Sequence, residues 1–278
     1  MAKPKVISRE YKIMLRTARF RGDEEHLRRA AREFWQDLRR VIAPVVIDTD
    51  GDLDDIQKAR FIRFHDTAGH LLHKNGYILR ERWDESSGDR EVTLKFRHLD
   101  RYLAQERGIA SGGAGHGTTK FEEDIKSPFQ ILYSFSTKQK ISATETLNRM
   151  NDPGRLYPTL PKKLDQYDKE EPIRPIGNFT AREVVIAGAD FQVDEKPKVE
   201  AECALIAWYD AQSSVRQPAA VEFSFRYGDE RENYSGDGAK RAYAAFSILQ
   251  GKKLSNWVDP APKTKTAYVY GLAQSPSR

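Results

Sequence analysis

The stretch Val6–Leu15, VISREYKIML, decides how the rest of the chain is read. With period two, Ser8, Glu10, Lys12 and Met14 share one face, and Ile7, Tyr11, Ile13 and Leu15 share the other, with Arg9 as the exception. Successive side chains of a strand point to opposite faces, so this alternation predicts a strand with one buried face. Its polar face carries a carboxylate and an ammonium pointing the same way.

The same pattern recurs downstream. Apolar faces are Val92, Leu94 and Phe96; Phe121 and Ile125; Val199, Ala201, Cys203, Leu205 and Ala207; and Val221, Phe223, Phe225 and Tyr227. Opposite them lie Arg80 and Arg82; Thr93, Lys95 and Arg97; Lys120, Glu122 and Asp124; Arg182; Glu200 and Glu202; and Glu222, Ser224 and Arg226. Full charges dominate, with few of the serines and threonines common on a solvated face. At least eight strand candidates are present, enough to close a barrel wide enough to hold a ligand. The pattern allows two architectures: such a barrel with its charged face inward, or an open sheet with salt-bridge ladders facing water. A charged lumen has to hold water and ion pairs or a polyanion, because unpaired buried charges cost several kcal/mol each. Phosphates suit guanidinium and ammonium groups on separate strands. Clustered carboxylates beside them suit a divalent cation.

Composition sets outer bounds. The chain has 278 residues, 31% of them charged, and a net charge of +5, which favours an anionic partner or plain solubility. A single cysteine, Cys203, excludes an intrachain disulfide framework and a cysteine-rich zinc site. No apolar run reaches the roughly 18 residues of a membrane span, so no membrane association is expected and a cytoplasmic location is. Asp23 caps a helix predicted to reach Ile42, whose Arg28, Arg29, Arg32, Arg39 and Arg40 read as a solvated face, or else as a nucleic-acid contact. Nucleic acid is the weaker reading, since that face lacks interleaved aromatics. Asp48–Asp55 reads as a solvated acidic turn, Gly108–Gly117 as a mobile connection, and Ser142–Met150 and Asp237–Leu249 as helices. A proline-interrupted stretch up to Gly177 reads as a long crossover. One domain is expected over 1–258, with an insertion around 139–177, followed by a mobile tail, 259–278, holding at most a short strand at Ala267–Tyr270.

The motifs resemble the CYTH, or triphosphate tunnel metalloenzyme, superfamily. That group opens with E-x-E-x-K, here SREYK (Ser8–Lys12). It continues with matches to FHDT (Phe64–Thr67), L-R-x-R (Leu79–Arg82) and T-L-K (Thr93–Lys95), then an acidic strand (Lys120–Asp124), an arginine strand (Arg182) and E-x-E (Glu222–Ser224). The resemblance implies an α+β fold: an eight-stranded antiparallel barrel with a charged lumen and helices packed outside. It also implies a triphosphate or polyphosphate ligand, hydrolysed with magnesium or manganese. By position, Lys12, Arg80, Arg82, Lys95 and Arg182 would grip phosphates, with Arg97, Lys120 and Arg226 extending that set. Glu10, Glu222, Glu122 and Asp124 would hold metal, and Glu10, Lys12 and Lys95 would serve catalysis. Ser8 and Ser224 stand where the pattern has glutamates. Both changes remove metal-binding carboxylates, leaving two expectations: a metal-dependent triphosphatase with a weakened metal site, or a polyanion-binding module without catalysis.

Overall fold

The computed structural model describes residues 4–112, 117–228, 231 and 234–274. The chain runs through β1 (Ser8–Leu15), α1 (Glu24–Ile42), β2 (Asp48–Thr67), α2 (Leu71–Lys74), β3 (Tyr77–Asp84), β4 (Arg90–His98) and α3 (Arg101–Glu106). There follow β5 (Thr118–Lys126), β6 (Gln130–Ile141), α4 (Asn151–Leu156), β7 (Ile173–Pro175), β8 (Ala181–Glu195), β9 (Lys198–Asp210), β10 (Ala220–Tyr227), α5 (Gly236–Leu249) and α6 (Lys265–Gln274).

The strands form one sheet in the order β3-β4-β6-β5-β1-β10-β9-β8-β2-β7, and β2 pairs with β3 as well, so the pairings return to their start. β7 only extends the end of β2, from His65↔Pro175 to Thr67↔Ile173, which leaves nine strands in the circuit. A circuit of strictly antiparallel neighbours needs an even number of strands. Nine require a parallel contact, and β1 with β5 supplies it, from Ser8↔Glu122 to Lys12↔Lys126. The expected eight antiparallel strands are corrected on both counts by β6, which folds back between β4 and β5.

Apolar clusters lie outside this ring and at one end of it. On one side Tyr11, Ile13, Phe223 and Phe225 meet Phe34, Trp35 and Leu38 of α1 and Phe246 of α5. Asp23 begins α1 as read from sequence, its carboxylate accepting from the His26 amide at 2.9 Å. On the other side Leu79, Val92, Leu94, Phe121 and Phe135 are covered by Leu147, Met150, Leu156, Tyr157 and Leu160. The insertion is therefore a packed wall, and Tyr157 Oη donates to the Val92 carbonyl at 2.8 Å. Each fully buried aromatic here contributes roughly 2–3 kcal/mol of hydrophobic stabilisation.

Several local expectations change. Asp48–Asp55 is the start of β2, paired with β8, rather than a free acidic turn. The segment expected as a helix at Ser142–Met150 is irregular, and a six-residue helix, α4, begins only after it, at Asn151. The tail read as mobile carries α6, and the strand expected at Ala267–Tyr270 lies within that helix. Of the glycine-rich connection, residues 113–116 lie outside the described residues. No helix of the described residues is long and apolar enough to cross a membrane.

Candidate anion-binding site

Register fixes which side chains share the inner face. Glu10 stands opposite Asp124 on one side and Arg226 on the other, and Lys12 stands opposite Lys126 and Ser224. Continuing round, Arg80 is opposite Thr93, Arg97 opposite Ser134, and Arg60 opposite Glu183. The period-two pattern of β1 thus brings Glu10 and Lys12 together with Asp124 of β5, Glu222 of β10, and Lys95 and Arg97 of β4.

Asp124 is the hub. It has no solvent exposure and accepts from Lys12 Nζ at 2.7 Å, Lys95 Nζ at 3.1 Å and Ser134 Oγ at 2.6 Å, with Arg97 Nε at 3.6 Å. Burial pushes its carboxyl upward, but Lys12, Lys95 and Arg97 outweigh burial and hold it well below the ordinary carboxylate range. Glu10 pairs with Lys12 at 2.8 Å and is also held below its usual value, burial being outweighed mainly by Lys12. Lys12 gains the reciprocal benefit: its own desolvation is outweighed by Asp124 and Glu10, so its ammonium is held above the usual lysine value. Lys95 is less well compensated. Desolvation first, with Arg97 and Lys12 adding to it, lowers Lys95 to about 8 against the pull of Asp124, and Lys126 is lowered to about 8 by burial and Arg97.

Buried donors without a hydrogen bond lie on β3 and β4. Arg80 makes no hydrogen bond or ion pair among the described residues, and its Nε is buried without a partner. Arg82 Nε, Arg97 Nε and Thr93 Oγ1 are buried and unpartnered as well. Burial, then Arg82, push Arg80 well below the ordinary guanidinium range, and burial lowers Arg82 to about 10. Buried donors without acceptors are costly, about 1–3 kcal/mol each. Four such atoms, three guanidinium Nε groups and the Thr93 hydroxyl, belong to inner-face residues of β3 and β4.

The acids do not fit the divalent ion that the resemblance implies. Glu10 is held by Lys12, Asp124 by Lys12 and Lys95, and Glu222 by Lys265 at 2.9 Å. Glu122 lies 3.8 Å from Lys95. Glu183, also on the inner face, accepts from Arg60 Nε at 2.6 Å and Trp208 Nε1 at 2.7 Å. Among the described residues no three His, Cys, Asp or Glu side chains form a metal-ligand set. Each acid of the ring is matched to a cation, and the surplus in this face is positive.

The two ends of the ring differ. The rim where β1 and β5 begin and β3 ends carries Ser8, Lys120 and Arg226 beside a cavity of about 250 Å³. At the other end, α6 stops the ring. Val269 and Tyr270 pack against Phe64, Ile78, Ala181 and Trp208, and Tyr270 Oη donates to Asp66 at 2.9 Å. The first residues of α6 reach the charged zone. Lys265 Nζ pairs with Glu222 and lies 5.5 Å from the Trp208 ring centre, and Arg97 Nη1 donates to Thr266 Oγ1 at 3.3 Å. Between α6 and Arg80 there remains a cavity of about 50 Å³.

Of the residues singled out from sequence, the structure gathers Glu10, Lys12, Lys95, Arg97, Glu122 and Asp124 in one ion-pair network. Arg80 and Arg82 lie beside it, Glu222 sits under α6, and Lys120 and Arg226 stand at the rim. Arg182 does not join them. It points outward, held by Glu85 at 2.8 Å, with Glu24 of α1 at 3.8 Å. Its neighbour Glu183 takes the inner position, because β8 enters the ring with its odd-numbered residues inward, as Arg60↔Glu183↔Trp208 shows. Among the charged residues of this zone that sequence reasoning missed are Arg60, Lys126 and Glu183 on the inner face and Lys265 at the start of α6. Alternation carried through from Ile62 and Phe64 to Arg60 is the signal that could have found the first.

No family model matches the chain, and no curated protein matches it. Among solved structures, the chain is similar to HpAC1 from Hippeastrum, a candidate adenylyl cyclase described as having a dominant triphosphatase activity. That match has 12% identity over 96% of each chain and a TM-score of 0.47. A candidate adenylate cyclase from Bacillus halodurans matches at 14% identity over 95% of this chain and 97% of that one, with a TM-score of 0.37. Another from Vibrio parahaemolyticus matches at 8% identity over 88% and 87%, with a TM-score of 0.32.

Proposed function

We propose that the nine-stranded ring encloses a tunnel that binds the phosphate chain of a triphosphate-containing or polyphosphate anion. The observation that carries this reading is Arg80: a guanidinium on the inner face with a buried, unpartnered Nε and no ion pair among the described residues, next to Thr93 Oγ1 and to Arg82 and Arg97, whose Nε atoms also lack a hydrogen bond although Glu91 and Asp124 pair with their charges at 3.6 Å. An oxyanion chain supplies the acceptors these donors lack, and the surrounding low dielectric strengthens each contact. Lys95 and Lys126, lowered to about 8, gain charge stabilisation from the same anion. Because Glu10, Asp124 and Glu222 are held by lysines, the proposed site binds its anion without a resident divalent ion, and no hydrolytic step is assigned to it.

The test is calorimetric titration of tripolyphosphate in the presence of a chelator and again with magnesium or manganese, together with an assay of phosphate release. Binding in chelator without metal-stimulated release is the expected result. Strictly metal-dependent binding with release would put the metal-dependent triphosphatase reading in its place. No binding under either condition would remove the anion reading altogether.

A further inference from the structure

The open rim holds cations that the central network does not use. Opposite the cavity at Lys120 and Arg226, a second cavity of about 350 Å³ is lined by Lys58, Arg60, Arg82, Arg90, Lys138 and Lys140, with Asp84, Asp89 and Glu91 as its acids. A register slip in β2 between Ile56 and Lys58 separates Lys58 from the outward-facing Ile56, and from there regular alternation puts Lys58 on the same face as Arg60. Lys58 forms no ion pair among the described residues. Burial, then Arg60, Lys138 and Arg82, hold its ammonium below the ordinary lysine range. Lys138 reaches Glu91 at 3.2 Å, and Lys140 reaches only Asp89 at 3.8 Å, an exposed pair of little energetic weight. The other side of the rim is balanced, with Lys120 and Arg226 against Glu200 and Glu202.

These cations are continuous with the centre. Lys58 and Arg60 follow one another along β2, Arg82 and Arg80 along β3 about 7 Å apart, and Lys138 stands opposite Thr93, one inner position from Lys95. No aromatic side chain lines the rim cavity, so a nucleobase has nothing to stack on there. The nearby aromatics, Phe61 and Trp83, stack on each other at 5.4 Å on the outer face, with Arg63 over Trp83. The ligand chemistry that fits is a linear chain of negative charge without bases.

We propose that Lys58, Lys138 and Lys140, with Arg60 and Arg82, form an outer subsite for phosphoryl groups beyond those held at Arg80. The preferred ligand is then an inorganic polyphosphate longer than tripolyphosphate. This rests on the anion reading of the ring and goes beyond it by naming chain length as the specificity. The experiment titrates tripolyphosphate and a medium-chain polyphosphate into the whole protein, in chelator, for wild type and for Lys58→Ala/Lys138→Ala/Lys140→Ala. The last two lysine side chains are 48% and 85% exposed, so the variant keeps its core.

Wild type should bind the longer chain about tenfold or more tightly than tripolyphosphate. In the triple variant that advantage falls to about twofold and the slope of log affinity against log salt drops by about 2. Tripolyphosphate affinity stays within about twofold. Equal binding of the two ligands by wild type, or an advantage that survives the triple variant, overturns the outer subsite while leaving the ring reading intact. Loss of both ligands in wild type overturns the ring reading and the subsite with it. Single-stranded RNA of equal charge binding as tightly as polyphosphate, with the same dependence on the three lysines, overturns polyphosphate in favour of a nucleic-acid occupant.

Discussion

The two ends of the ring are built from the same strand faces and have opposite character. At the rim, the inner positions Lys120, Arg226 and Lys138 reach solvent, with Glu200, Glu202 and Glu91 as their acids, and Arg82 lies buried just below them. At the far end the inner positions of the same walls are Met14, Ile62, Phe64, Ile78, Trp208 and Ala220, closed by Val269 and Tyr270 of α6. Polarity therefore changes along the ring axis as well as across the wall. An anion has one side from which to approach, and the apolar stop behind Arg80 keeps the centre in a low dielectric, where each donor counts for more. Lys265 at the junction is a cation on the one helix that closes the apolar end, and it occupies the carboxylate of Glu222.

The largest way to break this contrast is Trp208→Ala. Its indole is 2% exposed, packs edge-on to Phe64 at 5.9 Å and donates to Glu183. Its loss opens a cavity at the closed end and leaves Glu183 short of a donor, so unfolding in denaturant should show a destabilisation of about 3–5 kcal/mol. Next comes pH. Lys95 and Lys126 are lowered to about 8 in the folded protein, whereas the unfolded chain keeps them near the ordinary lysine value of 10.5. Below pH 8 both states are protonated and the folded state bears the full cost of the charges. Between about pH 8 and 10.5 the unfolded chain binds more protons, so these two groups make stability rise with pH, by on the order of 1–3 kcal/mol. Tripolyphosphate affinity falls over the same window as the ammonium groups lose charge. Melting curves and titrations at matched ionic strength check both directions, and the opposite slopes are the signature of a charge kept for a ligand. The smallest effect belongs to the rim. Arg226→Ala removes an exposed pair with Glu202 and should change stability by no more than about 0.5 kcal/mol in the same unfolding assay.

Much of the wall was legible in the sequence because alternation with full charges is hard to mistake. β1, β4, β5, β9 and β10 were read with their faces correctly assigned, as the burial of Tyr11, Leu94, Phe121, Cys203 and Phe225 shows. β6 escaped because its inner face begins with Ser134 and Ser136 and becomes charged only at Lys138 and Lys140, while its outer face ends in Thr137 and Gln139, so neither face keeps one character along the strand. With β6 went the strand count and the parallel contact of β1 with β5. Arg182 and Glu183 are adjacent, and alternation has to be anchored at one residue. The motif resemblance chose Arg182, while the pairing of Glu183 with Arg60 and Trp208 fixes the opposite phase. Lys265 was unreadable because a helix joins the ring there from its end, and no strand periodicity marks it. Ser8 and Ser224 were read as losses of metal ligands. The lysine pairing of the remaining acids is the physical counterpart, and it depends on contacts far apart in sequence.

Arg80 and Arg182 came from the same motif reading, yet one points into the ring and the other is held outside by Glu85. The dissociation constant of tripolyphosphate for Arg80→Ala and Arg182→Ala therefore tests the central claim most directly. Arg80→Ala should weaken binding about 30-fold or more, with thermal stability unchanged or raised because an uncompensated buried cation is gone. Arg182→Ala should bind within about twofold of wild type. Equal losses in the two variants, or full affinity in Arg80→Ala, would contradict an anion site inside the ring.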